Sequence, residues 1–224
     1  MMSVALHNRR LVLFDLDGTL VDSAADLYRA MNLSLEQLKL PLVTEEQVRI
    51  WVGKGAAKLC EMVLQHLFGH IDPQQQQQLL ATFLKVYAQE LCVNTTIYSG
   101  VMEFLTYCQT HQIMMACVTN KPEHLAKGVL DTLGLSDYFQ MLIGGDSLAE
   151  RKPHPLPLLH CMKVYKVSAA ETLMIGDSSN DVEAARQAGI DCVAVSYGYN
   201  HGVNIVDSQP QYVVDSLAEL INLK

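Results

Sequence analysis

The sequence predicts an α/β protein, a doubly wound parallel sheet of Rossmann-like design that carries a smaller inserted α-helical domain. Three observations predict it: short apolar runs, helical patterns between them, and one long stretch in which the runs stop. Leu11–Leu16, Ile113–Thr119, Thr172–Gly176 and Cys192–Ser196 are apolar without alternation, with Met141–Gly144 a fifth candidate. Strands covered by helices on both faces read this way. Between them, Val101–His111, Pro122–Leu133, Leu156–Lys166 and Asp181–Ala188 carry helical periodicity, the last closed by Gly189 as its C-cap. Strand and helix in alternation give a parallel sheet.

From Asp22 to about Asn94 the rhythm breaks, because the pattern is helical almost throughout and holds no convincing strand. We read residues 22–94 as an inserted helical cap domain and residues 1–21 with 95–224 as the core. The punctuation fits: Pro41 precedes a capping box at Thr44–Gln47, Gly53 and Gly55 flank a break, and Asp72-Pro73 opens another helix. The glutamines Gln74–Gln78 read as a solvated helix face.

Composition narrows the function classes. With 224 residues, half of them hydrophobic and 18% charged, the chain can bury a core and lacks the signature of disorder. A net charge of -8 without a Lys/Arg cluster disfavours nucleic acid as a partner. It also repels phosphate esters, so a site for one needs local positive charge from a metal, a lysine or backbone N–H groups. The apolar runs are far shorter than the roughly 20 residues that span a bilayer. The N-terminal MMSVALHNRR reaches Asp15 and Asp17 before any signal-like stretch, so a cytoplasmic protein is expected. Cys60, Cys92, Cys108, Cys117, Cys161 and Cys192 form no CxxC pair and are expected to be reduced, mostly buried thiols.

The first strand runs out into Asp15-Leu16-Asp17-Gly18-Thr19, which sets two carboxylates at the carboxyl end of a strand, where open α/β sheets bind ligands. Charged residues there can equally be an ordinary strand-to-loop exit. Three further features follow in order, each just after another expected strand: Thr119, Lys152, and Gly176-Asp177-Ser178-Ser179-Asn180-Asp181. Singly each means little; the order and placement together are specific.

These residues resemble the haloacid dehalogenase superfamily, whose motifs are DxDGT, a Ser/Thr after the second strand, a Lys and GDxxxD. The likeness runs from Asp15 to about Asp215. DLDGTLVDS, TNKP at Thr119–Pro122, IGGD at Ile143–Asp146, KPHP at Lys152–Pro155 and GDSSND look like the phosphoglycolate phosphatase branch, as do WVGKGA at Trp51–Ala56 and YGYNHG at Tyr197–Gly202.

The resemblance implies a hydrolase of 2-phosphoglycolate that works through an aspartyl-phosphate, as a monomer or homodimer. Asp15 is then the nucleophile, which splits a slow cleavage into two easier steps. Asp17 serves as acid and then base. Asp15, the backbone carbonyl of Asp17 and Asp177 are expected to hold Mg²⁺, without which the acidic site would repel a dianionic phosphate. Lys152 adds positive charge, Thr119 and the Asn120 backbone N–H donate to the phosphoryl oxygens, and Asp181 orients Lys152 or a metal-bound water.

The insertion begins directly after the first motif, so it should cover the carboxyl ends of the strands and contact the substrate beyond its phosphate. Within it, Gly53-Lys54-Gly55 is the candidate for substrate binding: Lys54 either meets a small substrate's carboxylate or is a solvated loop lysine. His154 and His160 read as turn or surface histidines. Asn120 and Lys121 stay open between a role in the site and ordinary loop polarity, with a clear task for the Asn120 backbone alone. The rival readings are a sugar phosphomutase or another small-ester phosphatase of the same family, and a non-catalytic binding or regulatory protein on this fold. Gly176-Asp177 counts against the mutase, and a competent residue at every catalytic position counts against the binding protein.

Overall fold

The computed structural model describes residues 6–222. Strand β1 (Leu11–Phe14) leads to a short strand β2 (Val21–Asp22), then to four helices, α1 (Ala24–Gln37), α2 (Glu45–Trp51), α3 (Ala56–Phe68) and α4 (Pro73–Gln89), and to a short strand β3 (Thr96–Ile97). Thereafter helix and strand alternate through α5 (Val101–Thr110), β4 (Met114–Val118), α6 (Glu123–Thr132), β5 (Met141–Ile143), α7 (Leu156–Tyr165), β6 (Thr172–Gly176), α8 (Ser179–Ala188) and β7 (Asp191–Val195). The chain ends with β8 (Tyr212–Val214) and α9 (Ala218–Asn222).

Six strands form one sheet in the order β5-β4-β1-β6-β7-β8, every pair parallel. Side chains alternate across a strand, and β1 uses both faces. Val12 and Phe14 join one buried cluster with Phe104, Ala126 and Leu217, while Leu11 and Leu13 join another with Leu158, Val182 and Ala185. Helices therefore cover both faces, and this is why the strand sequences are apolar without alternation.

The chain moves outward from β1 to β4 and β5 on one side, then returns to build β6, β7 and β8 on the other. That reversal opens a crevice at the carboxyl ends of the central strands. Register aligns them: Phe14 lies beside Cys117 and Ile175, so Asp15, Thr119 and Asp177 leave the sheet within a residue or two of one another.

Helices α1 to α4 bury their own cluster, including Met31, Leu35, Val63, Leu79 and Phe83, which also takes in Leu125 and Tyr199 from the sheet unit. The capping box of Thr44 and Gln47 is formed, Asp72 accepts from the Gln74 N–H with Pro73 at the first helical position, and Gly189 ends α8 in the left-handed conformation. Gln74, Gln77 and Gln78 are exposed. The cysteines are free thiols, all buried except the half-buried Cys92. Among the described residues no helix is long and apolar enough to cross a membrane.

Three strands differ from the sequence expectation. Val21–Asp22 and Thr96–Ile97 pair antiparallel where the chain enters and leaves the helical segment, and Tyr212–Val214 adds an edge to the sheet. Runs of two or three residues are too short to show a period.

Asp26, on α1, is buried and accepts from the backbone N–H groups of Asn94 and Thr95, from Asn94 Nδ2 and from Thr95 Oγ1, at 2.6 to 3.0 Å. Burial pushes its carboxyl up, but the bonds from Thr95 and Asn94 outweigh that and hold it below the ordinary value. Asp26→Ala is expected to cost about 3 kcal/mol at pH 7, from the hydrogen bonds lost to a charged acceptor. With the folded pKa depressed, this contribution is present above the ordinary carboxylate range and fades as pH falls through the folded value. Urea titrations at pH 7 and pH 3 check both points; equal stability of variant and wild type at pH 7 would contradict them.

Candidate active site

Asp15 is the first residue beyond β1. Its N–H donates to the Ile175 carbonyl at 2.9 Å, and its Oδ1 accepts from the Leu16 N–H at 2.7 Å and lies 3.0 Å from Lys152 Nζ. Lys152 Nζ also donates to Asp181 Oδ1 at 2.6 Å. Asp181 is the third residue of α8, and its other oxygen accepts from the Ser178 N–H and Oγ at 3.1 and 2.8 Å. The helix cap and the lysine partner are thus one carboxylate.

Asp177 follows β6. Thr19 Oγ1 donates to its Oδ1 at 3.1 Å, and the Tyr199 N–H to its Oδ2 at 2.7 Å. Two glycines make room for it. Gly18 has φ of +85°, and a Cβ there would collide with the Asp177 carboxylate; one on Gly198 would collide with the Asp177 side chain from the other side. Both segments that approach Asp177 therefore need a residue without a side chain.

Asp15, Asp177 and Asp181 each offer a carboxylate oxygen, all within 4.8 Å of one another, and all three are buried. Burial raises the Asp15 carboxyl well above the ordinary range, Lys152 offsets part of that, and Asp181 adds to it. Asp177 is raised too, first by burial and then by Asp181 and Asp15. Burial alone would lower Lys152, yet Asp15 and Asp181 hold it above its ordinary value, so it stays charged. One lysine facing three acids leaves negative charge over.

An all-oxygen donor set with surplus negative charge suits a hard divalent cation. Asp15 and Asp177 fit the task, whereas both oxygens of Asp181 are taken by Lys152 and Ser178. Asp17 turns the other way: its side chain lies outside the acid cluster, where Ser23 Oγ donates at 2.5 Å and Lys121 Nζ at 2.8 and 2.9 Å.

Asp15 and Asp17 face a small cavity of about 40 Å³. Its floor is Asp15, Asp17, Thr119, Asn120 and Lys121, and its roof includes Leu27, Leu59, Phe83 and Tyr87 from the inserted helices. Thr119 is buried, and its Oγ1 accepts from the Lys121 N–H at 3.2 Å. Asn120 Nδ2 donates to the carbonyls of Lys152 at 2.9 Å and Gly53 at 3.1 Å, tying the floor to the roof; Asn180 Nδ2 reaches Gly53 as well, at 3.3 Å. The structure thus brings Asp15, Asp17, Thr119, Asn120, Lys152, Asp177 and Asp181 together.

Lys54 is not brought there. Gly53 and Gly55 line the cavity, but the loop presents its glycine backbone, and Lys54 lies outside the lining at charge range of His201. His154 is an exposed turn residue accepting from the Leu156 N–H, and His160 is half-buried on α7.

Sequence reasoning missed three participants. Lys121 is buried, bonds both oxygens of Asp17 and sits 4.7 Å from the centre of the Tyr87 ring. Tyr87 lines the cavity from α4, and burial pushes its phenol up to about 12, so it remains a donor at neutral pH. Tyr199 joins distant parts: its hydroxyl donates to Asp22 at 2.8 Å and accepts from the N–H groups of Ser23 and Ala24 at 2.9 and 3.0 Å, where α1 begins. Lys121 and Tyr199 lie inside the TNKP and YGYNHG segments, but a loop lysine is common enough to hide its role, and Tyr87 carries no local signal.

A parallel sheet with a carboxylate cluster at its topological switch, beside a cavity that helices α1, α3 and α4 also line, describes an α/β enzyme. The haloacid dehalogenase-like hydrolase family model matches residues 12–195, and the chain belongs to that family. It is 43% identical over 219 residues to a phosphoglycolate phosphatase of Nitrosococcus oceani, with 97% of each chain covered. It is 41% identical to one of Colwellia psychrerythraea, covering 96% of this chain and 97% of that one. A crystal structure described as a predicted phosphoglycolate phosphatase from Haemophilus somnus superposes with a TM-score of 0.92 at 32% identity, covering 96% of this chain and 97% of that one.

Proposed function

We propose that this protein is a Mg²⁺-dependent phosphatase whose substrate is 2-phosphoglycolate, released as glycolate and phosphate. The observation that carries the reading is the pairing of Asp15 with Lys152 beside Asp177, at the bottom of a cavity that Asp17 also faces. Relatives above 40% identity along nearly the whole chain carry that substrate in their names. Residues 1–21 and 95–224 serve as the catalytic core and residues 22–94 as the cap. The enzyme works in the cytoplasm as a monomer or homodimer, with no nucleic acid or membrane partner.

Asp15 attacks phosphorus with one carboxylate oxygen while the ester P–O bond breaks, and the phosphoryl group passes to Asp15. Asp17 gives its proton to the departing alkoxide. It then takes a proton from the water that attacks the aspartyl-phosphate, which frees phosphate and restores Asp15. Thr119 Oγ1 and the Asn120 N–H donate to the phosphoryl oxygens, and Lys152 supplies a fixed positive charge held in place by Asp181. Asp15, the Asp17 carbonyl and Asp177 would hold Mg²⁺, which would supply positive charge against the negative charge of the phosphate and carboxylates. The apolar roof of Leu27, Leu59 and Phe83 keeps water from the acyl phosphate and leaves room for short substrates only.

Phosphate release with Mg²⁺ tests this. We expect kcat/KM for 2-phosphoglycolate to exceed that for ethyl phosphate, glucose phosphates and phosphonoacetaldehyde by at least about tenfold. A glucose phosphate at the head of the panel would overturn the substrate assignment.

A further inference from the structure

The geometry points to Lys121 and Tyr87 as the pair that reads the substrate's carboxylate, one from each side of the cavity; this rests on 2-phosphoglycolate being the substrate. A short carboxylated ester brings two anionic groups, so a pocket that prefers it needs a second positive or donating site apart from the phosphate. Among the described residues that line the cavity, Lys121 is the one cation. Lys152, the other buried lysine nearby, is engaged by Asp15 and Asp181.

Lys121 has a hydrogen left to give. An ammonium carries three donors, and two are used by the oxygens of Asp17 at 2.8 and 2.9 Å. The group lies 4.7 Å from the centre of the Tyr87 ring, so ammonium and ring are neighbours across the cavity. The Tyr87 hydroxyl is itself buried and has no hydrogen-bond partner, although its residue lines the cavity and is only 1% exposed. A buried hydroxyl without a partner is costly, and it gains most from a ligand acceptor. An ammonium and a phenol side by side make a charged donor pair of the kind that binds a carboxylate.

The surroundings sharpen the preference. The larger apolar side chains Leu27, Leu59, Phe83 and Leu125 also line the cavity, so a methyl group in place of the carboxylate leaves two buried donors unanswered. Lys121 lies just after β4 and Tyr87 on α4. A carboxylate bound by both bridges the sheet unit and the inserted helices, so its binding energy holds the roof over the reacting phosphate and appears in kcat/KM. The Gly53-Lys54-Gly55 loop then contributes its backbone, held by Asn120 and Asn180, and the Lys54 charge takes no part.

The test is kcat/KM for 2-phosphoglycolate and for ethyl phosphate, which differ only in carboxylate against methyl, in wild type, Tyr87→Phe, Lys121→Met and Lys54→Ala. We expect the wild-type preference to fall about 10- to 100-fold in Tyr87→Phe and further in Lys121→Met, as for lost hydrogen bonds to a charged group. Lys54→Ala keeps the preference. Lys121→Met disturbs Asp17 and slows both esters, so the ratio is the readout. Tyr87→Phe removes a single oxygen, and a thermal melt at the wild-type temperature verifies its fold. A preference kept in full by Tyr87→Phe and Lys121→Met, or lost in Lys54→Ala, overturns the pair. A wild type without preference overturns the substrate reading itself, which separates the two failures.

Discussion

Asp15→Asn is expected to lower phosphate release by a factor on the order of 10⁶, the scale on which removal of a covalent nucleophile acts. The amide keeps the shape of the carboxylate but is a poor nucleophile, and the other acids are engaged elsewhere: Asp181 with Lys152 and Ser178, Asp177 with Thr19 and Tyr199, Asp17 with Ser23 and Lys121. The fold should not suffer. Asp15 is one of three buried carboxylates within 4.8 Å of one another, and the substitution removes a mutual repulsion while Lys152 retains Asp181 at 2.6 Å. In metal-free buffer the variant should therefore melt no lower than wild type. Phosphate release and a thermal melt on the same preparation test both halves. Turnover above about 1% of wild type would mean that another group attacks phosphorus, since the loss expected is so much larger.

The residues that the sequence made visible are those whose position follows from the sheet. Asp15, Thr119 and Asp177 each follow a buried strand, and parallel register turns that shared position along the chain into neighbourhood in space. Lys152 belongs with them through Asp181, whose capping role in α8 fixes the partner it presents. Lys121 and Tyr87 lie 34 positions apart, and nothing local in either segment shows that α4 will lay a ring against that ammonium. Their meeting is decided by how the inserted helices pack, a tertiary outcome that periodicity does not encode. Lys54 is a different case, outside the cavity lining. A lysine between two glycines has the local look of a binding loop, but the glycines themselves supply the close approach. The β2–β3 pair escaped notice because two residues cannot display an alternation, although it marks where the chain enters and leaves the helical segment.

Removal of divalent metal should abolish phosphate release, and the affinity for Mg²⁺ should rise with pH. The surplus of negative charge around Asp15 and Asp177 is the reason for both. Burial holds these two carboxyls above the ordinary carboxylate range, toward neutrality, with Lys152 offsetting only part of it at Asp15. An acid whose folded pKa is raised contributes stability that is complete below its unfolded value and is lost as pH rises through the folded one. The metal-free protein should thus lose stability between mildly acid and mildly alkaline pH, because burial of the ionised cluster goes uncompensated. A cation bound there must displace the retained protons, so each proton released makes the apparent affinity up to about tenfold tighter per pH unit. Mg²⁺ should accordingly raise the melting temperature more at pH 8 than at pH 6. It should do less for Asp177→Asn, which takes away an oxygen anion from the cluster while Thr19 and the Tyr199 N–H remain to hold the side chain. Activity restored by Mg²⁺ after EDTA treatment, and a melting shift that grows with pH, are the expected results. Full turnover in EDTA, or a shift that shrinks as pH rises, would show that the acid cluster is neutralised by something other than a bound cation.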